Sequence, residues 1–141
     1  MTTGQLLESM FDSDTMYCSV KIHGNSIPRP NLPGDAQEAL CALATIQYNE
    51  FDGKKVAKFL AGLLAKGATV TIGREYSPVV YVTMPRRPPT KGNRDRTLAM
   101  AQAVMAEGKR LHADEFSMER RTRLPEGAQD FSKIIARLWW D

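Results

Sequence analysis

The 141-residue sequence predicts an α+β fold: a small, mainly antiparallel sheet packed with three to four helices, in one domain spanning 1–141. Three observations predict it. The stretch at about 15–23 alternates apolar and polar residues, a hairpin pattern occupies about 68–84, and apolar stripes at helical spacing follow Asp35 and Asp52.

Between Thr15 and His23, Met16, Cys18, Val20 and Ile22 fall on one side and Tyr17, Ser19, Lys21 and His23 on the other, the period of a half-buried strand. Gly24, Pro28, Pro30, Pro33 and Gly34 make the next stretch a connection, because each proline fixes its own φ and disfavours helix at the residue before it. Asp35 with Glu38 three residues later resembles a helix-start capping pair. Ala36, Ala39, Leu40, Leu43 and Ile46 continue it to about Tyr48. Asp52 is placed to cap a second helix with Val56, Phe59, Leu60, Leu63 and Leu64 as its core stripe and Gly67 at its stop.

Thr69–Arg74 and Val79–Thr83 are rich in β-branched residues and are separated by Glu75, Tyr76, Ser77 and Pro78, which suits an antiparallel hairpin. From Leu98 the pattern turns helical, with Leu98, Ala101, Met105 and Leu111 near one face. Glu115–Arg121 suits either an edge strand or a frayed helix. After Pro125 and Gly127, the spacing of Phe131, Ile134, Ile135 and Leu138 predicts a last short helix ending at Trp139 and Trp140.

No apolar run approaches the roughly 18 residues that a membrane span needs. Residues 1–11 lack a basic stretch followed by an apolar one, so a cytoplasmic protein with no membrane partner is expected. Two cysteines in such a chain, Cys18 and Cys41, are expected to be reduced and buried.

The net charge of +3 is unevenly distributed. Residues 1–85 carry seven Lys/Arg against eight Asp/Glu, whereas residues 86–141 carry twelve against eight. The excess lies in a Pro/Gly-broken run holding Arg86, Arg87, Lys91, Arg94 and Arg96 against Asp95. Local concentration of one sign draws an anionic partner more than a modest total does. The run is expected to be a loop joining a strand to a helix. Guanidinium groups there add to the exposed N–H groups of the helix start, with Gly92 and Asn93 letting the backbone approach a ligand and Tyr81 available to stack on a base. A Gly-x4-Gly-Lys-Ser/Thr phosphate loop is absent.

Lys54, Lys55 and Lys58 form a secondary basic cluster at the opening of the core helix. The run Gly53-Lys-Lys-Val-Ala-Lys58 resembles the opening of the last helix in double-stranded-RNA-binding domains, and that resemblance implies lysine contacts to phosphates. It covers six residues. In that family the helix follows a three-stranded sheet and closes the domain, whereas here helical sequence precedes it and a hairpin follows.

His23 and His112 are the only histidines, and neither begins the His-x-Ser/Thr motif of a two-histidine phosphodiesterase. Together with Cys18 and Cys41 they match no usual zinc-ligand spacing, so neither a metal nor a cofactor is expected. No triad or carboxylate pair stands out, and a non-enzymatic module is expected. Its ligand is read as nucleic acid or a nucleotide-type small molecule held by the basic run. A compact, motif-poor chain of this kind has the style of an accessory or immune-evasion protein of a mobile element. A second reading is a protein-interaction or inhibitor module, or a homo-oligomer, using a C-terminal helix in which Trp139 and Trp140 cannot both be buried. A third is an enzyme whose site is assembled from dispersed residues.

Overall fold

The computed structural model describes residues 2–12, 17–23, 34–88, 90–120 and 134–141. In chain order these form α1 (Thr3–Asp12), β1 (Tyr17–His23), α2 (Gly34–Leu43), β2 (Gln47–Tyr48), β3 (Phe51–Asp52), α3 (Gly53–Ala65), β4 (Thr69–Glu75), β5 (Ser77–Thr83), α4 (Lys91–Arg110), β6 (Glu115–Arg120) and β7 (Ile134–Trp139). The fold is α+β, as the sequence predicts. Five strands make one antiparallel sheet in the order β1-β4-β5-β7-β6, and β2 and β3 form a separate two-stranded hairpin.

The register sorts the side chains of the large sheet onto two unlike faces, because successive residues of a strand point to opposite sides. Ile22, Val70, Val82 and Ala136 lie in one row across the strands, and Ile72, Val80 and Leu138 in the next. All seven are buried in a single apolar cluster with Leu7 of α1, Leu43 of α2, Leu60 and Leu64 of α3 and Val104 of α4. Full burial of each Val, Leu or Ile contributes roughly 1.5–3 kcal/mol relative to exposure, so this face holds the sheet to the helices. The opposite face carries Ser19, Lys21, His23, Thr69, Thr71, Tyr81, Thr83, Arg137 and Trp139, and no described helix covers it. An antiparallel sheet tolerates this arrangement, with one face packed and the other toward water.

Several elements depart from the sequence expectations. The last segment is a strand rather than a helix: Ile134, Ala136, Leu138 and Trp140 are buried, while Ile135, Arg137 and Trp139 are half-buried on the other side. Its Ile-Ile pair and terminal aromatics favour a pleated strand, and Ala136 is an inward position too small to mark the period on its own. Residues 115–120 form the edge strand β6, one of the two readings open there. α1 has no counterpart among the sequence expectations, and it buries Leu7 and Met10 three residues apart.

α2 stops at Leu43 instead of about Tyr48, since Gln47 and Tyr48 pair with Asp52 and Phe51 around Asn49, whose φ of 48° suits a tight turn. The β4–β5 turn is tighter than expected, with Glu75 opposite Ser77 and Tyr76 alone at the tip with φ 67°. α4 starts at Lys91, a full turn or more before Leu98, because Thr90 caps it. Cys41 is a free thiol, but it is exposed, since Ala39, Leu40, Ala42 and Leu43 take the inward positions of α2. Met16, the connection at 24–33, Pro125, Gly127, Phe131 and the side chain of Cys18 lie outside the described residues. No described helix is long and apolar enough to cross a membrane.

α3 begins as expected, with Asp52 as its N-cap accepting from the backbone N–H groups of Lys54 and Lys55 at 3.1 and 3.4 Å. Gly53 is required where the chain turns into this helix, since a Cβ there would stand 2.1 Å from the Leu43 carbonyl oxygen and 2.4 Å from that of Ile46. The Ile46 oxygen is further held in place, because Gly53 N–H donates to it at 2.9 Å. Gly62, on the exposed side of the same helix, would meet nothing within 4 Å. The expected outcome is that Gly53→Ala loses about 3 kcal/mol or more of unfolding free energy, as overpacking against backbone does. Gly62→Ala should gain up to about 1 kcal/mol by removing helical glycine. Denaturant titration of the two variants checks this opposite pair of signs.

Candidate functional site

β4 begins, and β5 ends, at the same end of the sheet, where His23 is opposite Thr69 and Thr69 is opposite Thr83. The chain leaves β5 there, runs through Met84–Pro88, and enters α4. This connection is tied to the body. Met84 N–H donates to the Ile134 oxygen at 3.0 Å, and Thr90 N–H donates to the Pro88 oxygen at 2.8 Å. Asn93 ties it again: its side-chain amide donates to the same Pro88 oxygen at 2.9 Å and its backbone N–H to the Thr90 hydroxyl at 3.2 Å. The Thr97 hydroxyl, itself buried, donates to the Asn93 oxygen at 2.8 Å.

The basic run is therefore half connection and half helix. Arg86 and Arg87 lie before Thr90, whereas Lys91, Gly92, Asn93, Arg94 and Arg96 occupy the first turns of α4. Arg86, Lys91, Arg94 and Arg96 are exposed or nearly so at the surface of this end, and Arg87 stands beside them. Among the described residues, Arg86, Arg87, Lys91 and Arg96 make no ion pair or side-chain hydrogen bond. Lys66, the C-cap of α3, is also exposed at this end of the sheet. Helix geometry spreads the α4 cations: Lys91 and Arg94 share a side, while Arg96, two residues on, points away from Arg94. Asn93 is a turn-forming residue here, not a free ligand contact. Gly92 has open space around its Cβ position, so nothing within the chain requires glycine there.

Tyr81 is not brought to the arginines. It sits on the helix-free face, across from Thr71 and Arg137, and its hydroxyl donates to a Glu75 carboxylate oxygen. The other Glu75 oxygen accepts from Arg137 at 2.8 Å, and Arg137 also donates to Glu115 at 2.8 Å. Trp139 completes the layer by donating its indole N–H to the Glu75 backbone oxygen at 3.0 Å, reaching from β7 across β5 to β4. Val79, Trp139's neighbour on this same face, is consequently only 2% exposed. A shallow cleft of about 360 Å3 remains beside this network, over Gly73, where the sheet has no side chain.

Charge in this layer is balanced within it. Burial raises the Glu75 carboxyl, but the Tyr81 hydroxyl and the Arg137 guanidinium outweigh that and hold it below the usual glutamate range. For Tyr81, burial and the adjacent Glu75 both push the phenol above its usual value. Burial would lower Arg137, but its bonds to Glu75 and Glu115 keep it firmly charged.

The two tryptophans separate completely. Trp140 is 0% exposed, packs edge-on to Phe51 at 5.0 Å and 82°, and donates its indole N–H to the Leu111 oxygen at 2.9 Å. It is a core residue, and the expectation of an interface role for Trp140 is corrected by its burial. Trp139 is half-buried, with its one donor engaged by Glu75.

Lys54, Lys55 and Lys58 lie at the start of α3, at the opposite end of the sheet from the basic run, with their side chains exposed. Lys55 and Lys58 border a cleft of about 500 Å3 between the start of α3 and the end of α4. α4 supplies Glu107 and Arg110 to it and its C-cap Leu111 follows, and His112, Glu50 and Asp52 complete the rim. The sequence alone gives Lys55 and Lys58 no partner across a cleft, because Arg110 and His112 lie more than fifty positions away. The Glu75–Tyr81–Arg137–Trp139 layer escapes a helical reading of the C-terminal segment, and the alternation of Ile135, Arg137 and Trp139 is the signal that marks it. Among the described residues, no three His, Cys, Asp or Glu side chains converge as a metal site would require.

Comparison of the chain with protein-family models, with curated proteins and with solved structures finds no match.

The lowered Glu75 carboxyl links the helix-free face to pH. A depressed folded-state value stabilises the fold above the ordinary glutamate range, and that contribution disappears as pH falls through the depressed value. Melting temperatures measured from neutral to acid pH should drop more steeply for the parent than for Glu75→Gln, with the two curves converging at the acid end. Equal slopes would mean that the carboxylate contributes nothing through its charge.

Proposed function

We propose that this chain is a non-enzymatic module that binds the phosphate backbone of nucleic acid through the basic end of the sheet, with Arg86, Arg87, Lys91, Arg94 and Arg96 as its contacts. One observation carries the reading: Arg86, Arg87, Lys91 and Arg96, without partners among the described residues, project from a connection and the helix start that follows it, held in place by Thr90, Asn93 and Met84. Surface arginines that fold onto their own chain's carboxylates are ordinary. Unpaired ones on a fixed frame meet an anion without first breaking an ion pair and without ordering the backbone.

The spread of the charges favours a polymer over a single small anion. Arg94 and Arg96 lie on different sides of α4, so they do not close on one phosphate, and none of the five residues lines either the cleft over Gly73 or the one between α3 and α4. A ridge of guanidinium and ammonium groups matches a repeating phosphate chain, for which counterion release supplies much of the affinity. Tyr81 is left out of this contact, since it lies on the helix-free face with its hydroxyl turned to Glu75.

The test is fluorescence anisotropy with short single-stranded and duplex oligonucleotides over a range of salt concentrations. Changing Arg86, Arg87, Lys91 and Arg96 together to Gln should leave the melting temperature nearly unchanged, since exposed substitutions usually cost within about 0.5 kcal/mol each. Affinity should fall by about tenfold or more, because each charge-assisted bond contributes roughly 1.5–3 kcal/mol. The salt slope should shrink by about 0.9 for each duplex phosphate that the variant no longer neutralises. Tight binding of a mononucleotide with a shallow salt slope would move the reading to a small-ligand site, and unchanged oligonucleotide binding by the variant would refute the basic end as the contact.

A further inference from the structure

The cleft between α3 and α4 lies away from the basic end and has a different chemical character. Its two walls are built alike. Lys55, Lys58 and Phe59 lie at i, i+3 and i+4 on α3, and Glu107, Arg110 and the C-cap Leu111 repeat that spacing where α4 ends, so each wall carries two charged groups and one apolar group. Val56, Phe59 and Leu111 make an apolar floor, with Val56 only 1% exposed. The volume of about 500 Å3 falls in the roughly 300–1,000 Å3 range of small-molecule sites, which combine an apolar lining with a few polar groups.

The charges on the rim are not equally available. The Asp52 carboxylate accepts from the Gln47 side chain and from the Lys54 and Lys55 backbone, and its carboxyl is held below the usual range first by that Gln47 bond. Glu107 is paired with Arg110. Lys55, Lys58 and His112 make no side-chain hydrogen bond or close ion pair among the described residues, although Lys55 attracts the Asp52 carboxylate electrostatically, and Glu50 is the single rim carboxylate without such a bond. The start of α3 adds nothing for a ligand, because Asp52 already occupies its N–H groups.

His112 stands on the rim in an unusual backbone state. The end of α4 closes with Ala113 N–H donating to the Gly108 oxygen at 2.9 Å and His112 N–H to the Lys109 oxygen at 3.1 Å, the pattern that normally places glycine at the left-handed position. Here that position is His112, with φ 67°. Glycine would suit the backbone better, so the imidazole is present at a conformational cost.

We infer that this cleft is a binding site for a small amphipathic anion, with a phosphate or carboxylate held by Lys55, Lys58 and His112 and an aromatic or aliphatic body lying on Val56, Phe59 and Leu111. Lys55 and Lys58, neither of them hydrogen-bonded through its side chain, supply the charge for an anionic head, and the His112 ring adds a polar group beside them. The apolar floor selects a body larger than the head alone. The site is separate from the nucleic-acid contact at the basic end and does not depend on it.

The Trp140 indole N–H, bonded to the Leu111 oxygen beneath the cleft, is a built-in reporter, and the Trp139 indole on the helix-free face is its internal control. Nitrogen-15-labelled full-length protein is titrated with adenosine 5′-monophosphate, adenosine, octanoate and inorganic phosphate. Saturable movement of the Trp140 indole signal, with that of Trp139 still, is expected from the monophosphate or from octanoate. The first identifies a phosphate head with an aromatic body and the second a carboxylate with an aliphatic one. Adenosine and inorganic phosphate should bind about tenfold or more weakly, each lacking one half of the recognition. Changing Lys55 and Lys58 together to Gln should weaken binding by a similar factor, and the fourfold Gln variant of the basic end should bind as the parent does.

His112→Gly should raise the melting temperature while weakening the ligand, a split that a purely structural histidine does not produce. The inference is overturned if neither amphipathic anion moves the Trp140 signal. It is also overturned if inorganic phosphate binds as tightly as they do, or if affinity survives both the double lysine change and His112→Gly.

Discussion

A chain of aromatic contacts through Trp140 ties the separate parts of this fold together. Its indole meets Phe51 edge-on, and Phe51 in turn stacks on Phe11 at 6.3 Å and 17°, so three side chains join α1, the small β2–β3 hairpin and the end of β7. The Trp140 backbone N–H donates to the Pro78 oxygen in β5, and its indole N–H donates to Leu111 at the end of α4. A buried indole whose only side-chain donor is satisfied adds apolar contact without an unpaired polar group. Because β7 lies between β5 and β6, fixing its end also fixes where α4 stops and β6 begins. Asp114 N–H completes that corner by donating to the Trp139 oxygen at 2.8 Å.

The same strand builds the opposite surface. One residue before Trp140, Trp139 faces the other way and braces the helix-free side against the Glu75 oxygen, next to the Arg137 pairs with Glu75 and Glu115. A sheet whose described helices all lie on one side must protect the centre of its other face, and here a side-chain layer of Trp139, Tyr81, one guanidinium and two carboxylates does so. This arrangement explains why Val79 is buried on a face that no described helix covers. It also withdraws Arg137 from any role as a free cation, and two groups of partner-free positive side chains among the described residues lie at the two ends of the sheet.

Those ends differ in kind. At one, arginines and lysines stand on a ridge running from Arg86 into α4, and none of them lines either cleft. At the other, Lys55 and Lys58 edge an apolar-floored cleft closed by Arg110 and His112. An exposed ridge suits a polyanion whose phosphates repeat, and a cleft suits a compact molecule with one charged head, so the two sites can be present or absent independently of each other.

Some local chemistry was legible. The Asp52 cap, the α3 stripe, the β4–β5 hairpin and the strand at β1 follow from side-chain period and capping alone. Non-local pairing hid the rest. The segment Ile134–Trp139 satisfies a helical stripe nearly as well as a strand, and only its placement between β5 and β6 selects the pleated form that buries Trp140 and turns Trp139 outward. The polar first turns of α4 carry no apolar stripe, so a helix held by the Thr90 cap and the Asn93 bonds reads as a loop. By itself the sequence determined the fold class, the Asp52 cap and the location of the charge. The tertiary structure decided which charges are paired, which tryptophan is buried and which distant residues share a cleft, because those outcomes depend on strand register and helix packing between positions far apart in the chain.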